Sequence, residues 1–211
     1  MSWLSGVMQD GMGYLYGQTG SYGLAIILLT IIVRIVLFPF TLLQTKSTAK
    51  MQQLQPELNA LQKKYKSEPE RLNRETMDLW KKHKVNPLSG CLLLLVQFPF
   101  LIAFFQALDK YAPLKTASFL IWNLGKPDTT YVLPVLAAVS TFLQVKVTTP
   151  PGADASQSSM MFVFPILIGW MAMRYPAALS LYWVVSNLWS IAERLVIPRV
   201  PVRKEEAGGT T

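Results

Sequence analysis

Arg34 makes the strongest chemical demand in the sequence. It stands inside LAIILLTIIVRIVLFPFTLL, from Leu24 to Leu43, a stretch whose only charge it is. A guanidinium near the centre of a bilayer costs roughly 2.5–3.5 kcal/mol on insertion scales, so something must solvate it. Thr30 and Thr41 share its helical face by spacing. In a later apolar stretch Ser180, Trp183, Asn187 and Ser190 recur at i, i+3, i+7 and i+10, and two further stretches offer Gln97, Thr141 and Gln144. If these faces converge, they form a wet, hydrophilic cavity around a positive charge. Asp109, Asp128, Asp154 and Glu193 all fall at or beyond the ends of apolar stretches, which leaves that charge without an acidic partner at mid-depth. Such a vacant counter-ion position suits a substrate that brings the polar or acidic group itself. The competing reading is that Gln97, Gln144 and Asn187 only bond neighbouring helices, while carbonyls freed by Pro39 solvate Arg34.

Covalent chemistry lacks its parts. The one histidine, His83, sits among Lys81, Lys82 and Lys84, which reads as a solvated basic face, and no H-E-x-x-H helix or GxxxxGK[ST] loop is present. The single cysteine, Cys91, permits no intrachain disulfide and no cysteine-rich zinc cluster, and reads as a small buried hydrophobe. Neither an enzyme nor a cofactor is expected.

The elements that must position Arg34 follow from hydropathy. Of 211 residues, 51% are hydrophobic and 15% charged, against about 25% charged in a soluble domain. Leu24 to Leu43 is about 30 Å long as a helix, enough for a bilayer core. Similar stretches at Leu88–Leu108, Tyr131–Val147, Met160–Met173 and Ala177–Ile197 make five spans, the third and fourth short, with Arg174-Tyr175-Pro176 turning the chain between the last two. Before them, residues 1–19 read as an amphipathic interfacial helix, with Trp3, Leu4, Val7, Met8, Gly11, Tyr14 and Leu15 at helical spacing. The first 33 residues carry no Lys or Arg, so a cleaved signal peptide is not expected. Gly13 and Gly17 match a small-xxx-small pattern, but flexibility is their better reading.

Segment 44–86 carries ten Lys/Arg and five Asp/Glu, too polar for lipid. Leu54, Leu58, Leu61 and Tyr65 form one stripe and Leu72, Thr76, Leu79 and Trp80 another. Pro56 starts the first helix of a predicted hairpin, and Ser67-Glu68-Pro69-Glu70 starts the second. Five spans put the termini on opposite sides. With the hairpin, the 148–159 loop and the tail inside, the inner face carries fifteen Lys/Arg and the outer face four, so the positive-inside rule predicts the N-terminus outside and the C-terminus in the cytosol. The domain plan is therefore 1–19 interfacial helix, 20–43 first span, 44–86 basic cytoplasmic hairpin, 87–198 spans two to five, and 199–211 a basic, disordered tail. The fold class is an all-α membrane protein with five spans around a hydrophilic groove.

LTIIVRIVLFPF, MQQLQPELNALQKKYK, VNPLSGCLLLLVQFPFLIAFFQAL and MRYPAALSLYWVVSNLWSI follow one another in an order that resembles the YidC/Oxa/Alb family of membrane protein insertases, over roughly residues 20–198. The resemblance is to a bacterial, five-helix core form without a large periplasmic domain. It implies a plasma-membrane insertase and chaperone whose groove opens to cytosol and lipid, is closed to the outside, and takes polar stretches of nascent membrane proteins part-way across. By motif, the family's groove arginine falls on Arg34, its groove glutamine on Gln144 and its aromatic on Trp183. The implied partners are nascent membrane proteins, membrane lipids, and the ribosome and Sec translocon, with a monomer as the working form. One departure is the absence of a lipoprotein-type cysteine near the start. A small anion-selective channel or transporter, with Arg34 as its constriction, is the rival reading.

Overall fold

The structure is a computed structural model that describes residues 2–83, 102–108, 110–149 and 155–196. Gln97, Cys91 and the tail from 199 onward lie outside the described residues. The chain divides into two compact units, Met1–Pro39 with Leu94–Val196, and Phe40–Leu93 with Ile197–Thr211.

The first unit is built from helices α1 (Ser2–Thr19), the first part of α2 (Tyr22–Gln53), α5 (described over 102–108), α6 (Val132–Thr148), α7 (Ala155–Ala172) and α8 (Ala177–Val196). Among the described residues one stretch, Tyr22–Leu43, is long and apolar enough to cross a membrane; Val132–Thr148 and Met161–Ala172 are shorter apolar helices. Ala25, Ile26 and Leu29 of α2 pack with Ala103, Phe104 and Ala107 of α5 and with Ala178, Leu179 and Tyr182 of α8. The alanines let these backbones approach closely, as packed apolar helices require. Ala137, Ile168 and Ala172 make a smaller cluster joining α6 and α7, and Trp183 packs against both.

Helix α1 divides its apolar residues differently from the sequence-based expectation. Met8 and Met12 are buried in the main cluster, and Gln9 donates to the Ala107 carbonyl at 3.2 Å, whereas Trp3, Val7 and Tyr14 are exposed. The predicted single stripe therefore splits into a packed edge and an outward aromatic edge. Gly13 also has a tighter role than flexibility, since a Cβ there would lie 3.1 Å from the Tyr111 hydroxyl, while Gly17 has open space.

An all-α fold was expected, but one small sheet interrupts it. After a 3-10 turn at Ala112–Lys115, strands β1 (Ser118–Phe119) and β2 (Trp122–Asn123) pair antiparallel, Ser118 opposite Asn123 and Phe119 opposite Trp122. Only two residues join them, and Leu120 takes the left-handed backbone (φ 55) such a tight hairpin demands. Phe119 lies over Gly23, where a Cβ would meet its ring at 2.0 Å. Gly125 is as constrained, because its missing Cβ would stand 2.5 Å from the Lys115 backbone. The loop also supplies carbonyls to the start of α8, with Ala177 N–H donating to Lys126 and Ala178 N–H to Leu124. These bonds satisfy donors that the first turn of a helix leaves open.

Asp128 fixes the loop to α6. One carboxylate oxygen accepts from the Thr130 amide at 2.7 Å and hydroxyl at 2.5 Å, and the other accepts from the Leu133 amide at 2.8 Å. Burial alone favours the neutral acid, but the bonds from Thr130, Leu133 and Trp122 outweigh it and hold the carboxyl below its ordinary value of 3.8. Because the folded value is depressed, the stabilisation is complete above the ordinary value and is lost as pH falls through the folded one. D128A should cost about 1 kcal/mol, as loss of a helix cap does. Thermal unfolding in detergent should show the deficit at pH 7 and a smaller one in strong acid; equal melting of variant and parent at pH 7 would refute the cap.

In the second unit the described residues are the end of α2, α3 (Gln55–Lys64) and α4 (Pro69–Lys82). Pro56 and Pro69 sit in the first turns, where the missing proline N–H costs nothing. Leu54 and Tyr65 are buried, and Lys64 and Arg71 lie over the Tyr65 ring at 5.1 and 4.9 Å. His83 faces Glu57 at 3.8 Å across the hairpin. The boundary at 43/44 does not end a helix. Helix α2 runs on to Gln53, because residues 44–53 contain no glycine or proline and include good helix formers such as Gln, Lys, Ala and Met. Pro39 is carried inside the same helix.

Candidate functional site

The site assembles on α8, whose face toward the bundle is unusually polar for an apolar helix. Ser180, Ser186, Asn187 and Glu193 are all buried there. Arg34 reaches this face from α2: both its Nε, at 3.1 Å, and its Nη2 donate to the Ser186 hydroxyl. The cation is thus solvated by a side chain from 152 positions away, a partner no local spacing rule identifies.

One carboxylate does approach the Arg34 region from the end of α8. Glu193 is only 7% exposed, accepts a bond from Trp189 Nε1 at 2.6 Å, and lies within electrostatic reach of Arg34. Among the described residues no carboxylate comes within 4 Å of Arg34, so the two are coupled without forming an ion pair. By sequence Glu193 falls at the end of an apolar stretch; in the structure it is buried and bonded to the indole one turn earlier.

Asn187 does something different. Its Nδ2 donates to Ser140 at 3.1 Å and to Thr141 at 2.8 Å, clamping α8 to α6 through three buried side chains. Both hydroxyls in turn donate to the Ala137 carbonyl. For Asn187 and Thr141, the helix-to-helix bond accounts for the polar groups. Thr30 is likewise turned inward on its own helix, donating to the Ile26 carbonyl at 2.7 Å. Ser180 is buried, and its hydroxyl has no partner among the described residues. Trp183 and Gln144 are half-buried, Gln144 one turn beyond Thr141 on α6. Gln97 lies outside the described residues.

Ser186, Ser140, Trp189 and Glu193 were missed by the face assigned from spacing. Their signal is a second register on α8: Ser186, Trp189, Ser190 and Glu193 recur at i, i+3, i+4 and i+7, a stripe as regular as the one through Ser180 and Asn187.

No group of three or more His, Cys, Asp or Glu poised to hold a metal occurs among the described residues. What the arrangement does offer is a half-buried cation held by a neutral hydroxyl, a buried carboxylate nearby, and a separate neutral clamp holding the helices in place.

A profile of the 60Kd inner membrane protein family matches residues 14–205. The chain is 42% identical over 197 residues to "Membrane protein insertase YidC 2" of Bacillus anthracis, spanning 90% of this chain and 77% of that protein. It is 41% identical over 207 residues to "Membrane protein insertase MisCA" of Bacillus subtilis, spanning 93% and 79%. Its match to "Membrane protein insertase YidC" of Geotalea daltonii is 41% identical but covers only 35% of that longer chain. Among solved structures, one described as an active YidC insertase with its first transmembrane domain resolved superposes with a TM-score of 0.73 at 30% identity, covering 90% of this chain and 45% of the other. A largely helical fold, a bacterial membrane location and a kinship with proteins named for insertion rather than catalysis follow together. The chain belongs to the 60Kd inner membrane protein family, that of the YidC membrane protein insertases.

Proposed function

We propose that this protein is an insertase and chaperone that lowers the cost of moving polar segments of nascent membrane proteins into the bilayer. Five spans, built on α2, the 88–108 stretch, α6, α7 and α8, enclose a positively charged groove open to cytosol and lipid. The N-terminus is outside, and the basic hairpin and the C-terminus are cytoplasmic, as the Lys/Arg distribution supports. The apolar exposure of Ile35, Val36 and Phe40 on α2, of Val135, Leu136 and Val139 on α6, and of Phe162, Val163 and Ile166 on α7 suits a lipid surround.

The observation that carries this reading is Arg34. Its charge is held inside an apolar helix bundle by a neutral hydroxyl and not by a contacting carboxylate, so hydrogen-bonding capacity toward a client is left over. A polar segment entering there exchanges water for Arg34, Gln144, Ser180 and Trp183 instead of for hydrocarbon, while Thr30, Thr141 and Asn187 hold the walls. Short spans three and four thin the local bilayer and shorten the crossing. The apolar part of the client then partitions sideways into lipid. The working form is a monomer that receives clients at the hairpin, from the ribosome or beside a Sec channel.

The test is photocrosslinking from Val33 in α2 and Trp183 in α8 to ribosome-bound nascent chains. Crosslinks should track the polar segment of the client as the chain lengthens. Crosslinks to lipid alone at every chain length would overturn the reading.

A further inference from the structure

The polar stripe of α8 has two ends with opposite charge. At one end Ser186 holds the Arg34 guanidinium; two turns later Glu193 carries a buried carboxylate, pinned by the Trp189 indole at 2.6 Å. Helical rise separates Ser186 from Glu193 by about 10 Å along the axis, a distance over which charges in a partly dry site still interact strongly. The carboxylate is turned neither to solvent nor to a lysine or arginine within 4 Å, among the described residues. Nothing in the solvation of Arg34 requires it, since Ser186 accepts both guanidinium bonds. Nor does holding the bundle together, which is the task of the Asn187 clamp on the neighbouring face.

We propose that Glu193 is a specificity-determining residue of the groove, a built-in carboxylate that offsets the Arg34 charge and sets how strongly acidic translocated segments are favoured over neutral ones. The inference rests on the insertase reading above and adds a selectivity to it. An acidic group arriving at Arg34 meets the attraction of the guanidinium and the repulsion of Glu193 together; a neutral polar group meets neither. With the carboxylate in place the site accepts acidic clients without trapping them. Trp189 acts as a positioning residue, because it holds the carboxylate on the stripe and shields it from water.

The experiment measures insertion of two clients identical except for their translocated tails, one carrying two Asp and the other two Asn, in cells that depend on the parent or a variant. E193Q keeps the shape and the acceptor for Trp189 while removing the charge, and should raise the acidic-to-neutral insertion ratio at least about threefold. E193D retains the charge and should hold the parental ratio, which separates electrostatics from packing. In an R34Q background the ratio should start lower, and E193Q should still raise it, because the repulsion between Glu193 and an acidic client does not depend on the cation. An unchanged or lowered ratio in E193Q overturns the proposal, as does an E193D ratio that rises as far as that of E193Q. The two readings fail separately: a parent that inserts neither client sinks the insertase reading, whereas one that inserts both at a ratio insensitive to position 193 sinks only the role of Glu193.

Discussion

Reversing the charge at position 34 is expected to give the largest functional loss of any single substitution in this protein. R34E removes the donors to Ser186 and places a second carboxylate near buried Glu193, so both the site and any acidic client meet like charge. Turning the attraction of an acidic client at position 34 into repulsion is a two-charge change, worth about 2 kcal/mol, or roughly thirtyfold, in a partly wet site. Insertion of clients with acidic translocated tails should fall by that factor, and that of neutral clients by much less. R34A should lie between, and R34K should retain much of the parental activity, losing only what the fork of the guanidinium adds over an ammonium. R34A leaves Glu193 without its nearby cation, so part of its defect should be one of stability, and E193Q should restore the melting temperature in that background. If the Ala, Lys and Glu variants all insert acidic-tailed clients like the parent, Arg34 is no electrostatic attractor, and the groove must act by hydration and membrane thinning alone.

N187L should produce the largest loss of stability among the polar residues. The substitution removes two interhelical bonds, at 3.1 and 2.8 Å, from a contact where Ser140, Thr141 and Asn187 are all buried. Leaving buried hydroxyls without this donor costs about 1–3 kcal/mol, softened because both still bond the Ala137 carbonyl. For a chain of this length that is a fall in melting temperature of about 3–8 °C. The functional signature should differ from that of Arg34: acidic and neutral clients should decline together, because the clamp sets the spacing of α6 and α8 and carries no charge. An unchanged melting temperature would show that the bond to α6 is dispensable.

Helix positions were legible from the sequence where one-dimensional signals suffice. Pro56 and Pro69 mark the starts of α3 and α4, Tyr175-Pro176 marks the turn before α8, and the apolar stretches at Leu24, Tyr131 and Ala177 each prove helical. The end of α2 was not legible, because hydropathy falls at Leu43 while the helix-forming tendency of the next ten residues does not. Arg34 could be singled out in the sequence from its cost in lipid. Its partner could not, since choosing between the Ser180 and Ser186 registers of α8 requires knowing which face meets α2. The face of α1 failed for a related reason: Met8 and Trp3 are both apolar, and only the neighbours decide which is packed. The burial of Glu193 and its bond to Trp189 were not legible, because position near a helix end does not say which side of the helix is packed.

The hairpin and loop at 111–128 carry a consequence for energetics. Their carbonyls complete the first turn of α8, Leu114 and Leu124 are buried in the main cluster, and Phe119 sits flush on Gly23, so this end of the helix bundle, the outer one on the proposed topology, is packed and hydrogen-bonded. A water-filled recess on the cytosolic side of such a plug behaves electrically as an extension of the cytosol. The transmembrane voltage, worth about 2.3 kcal/mol per charge per 100 mV, then falls over the short dry stretch beyond Arg34 and not over the whole bilayer. On the proposed reading, an acidic segment at Arg34 stands at the foot of that steepened field, with the outside-positive potential drawing it outward, while the sealed plug keeps protons and salt from following through the same opening.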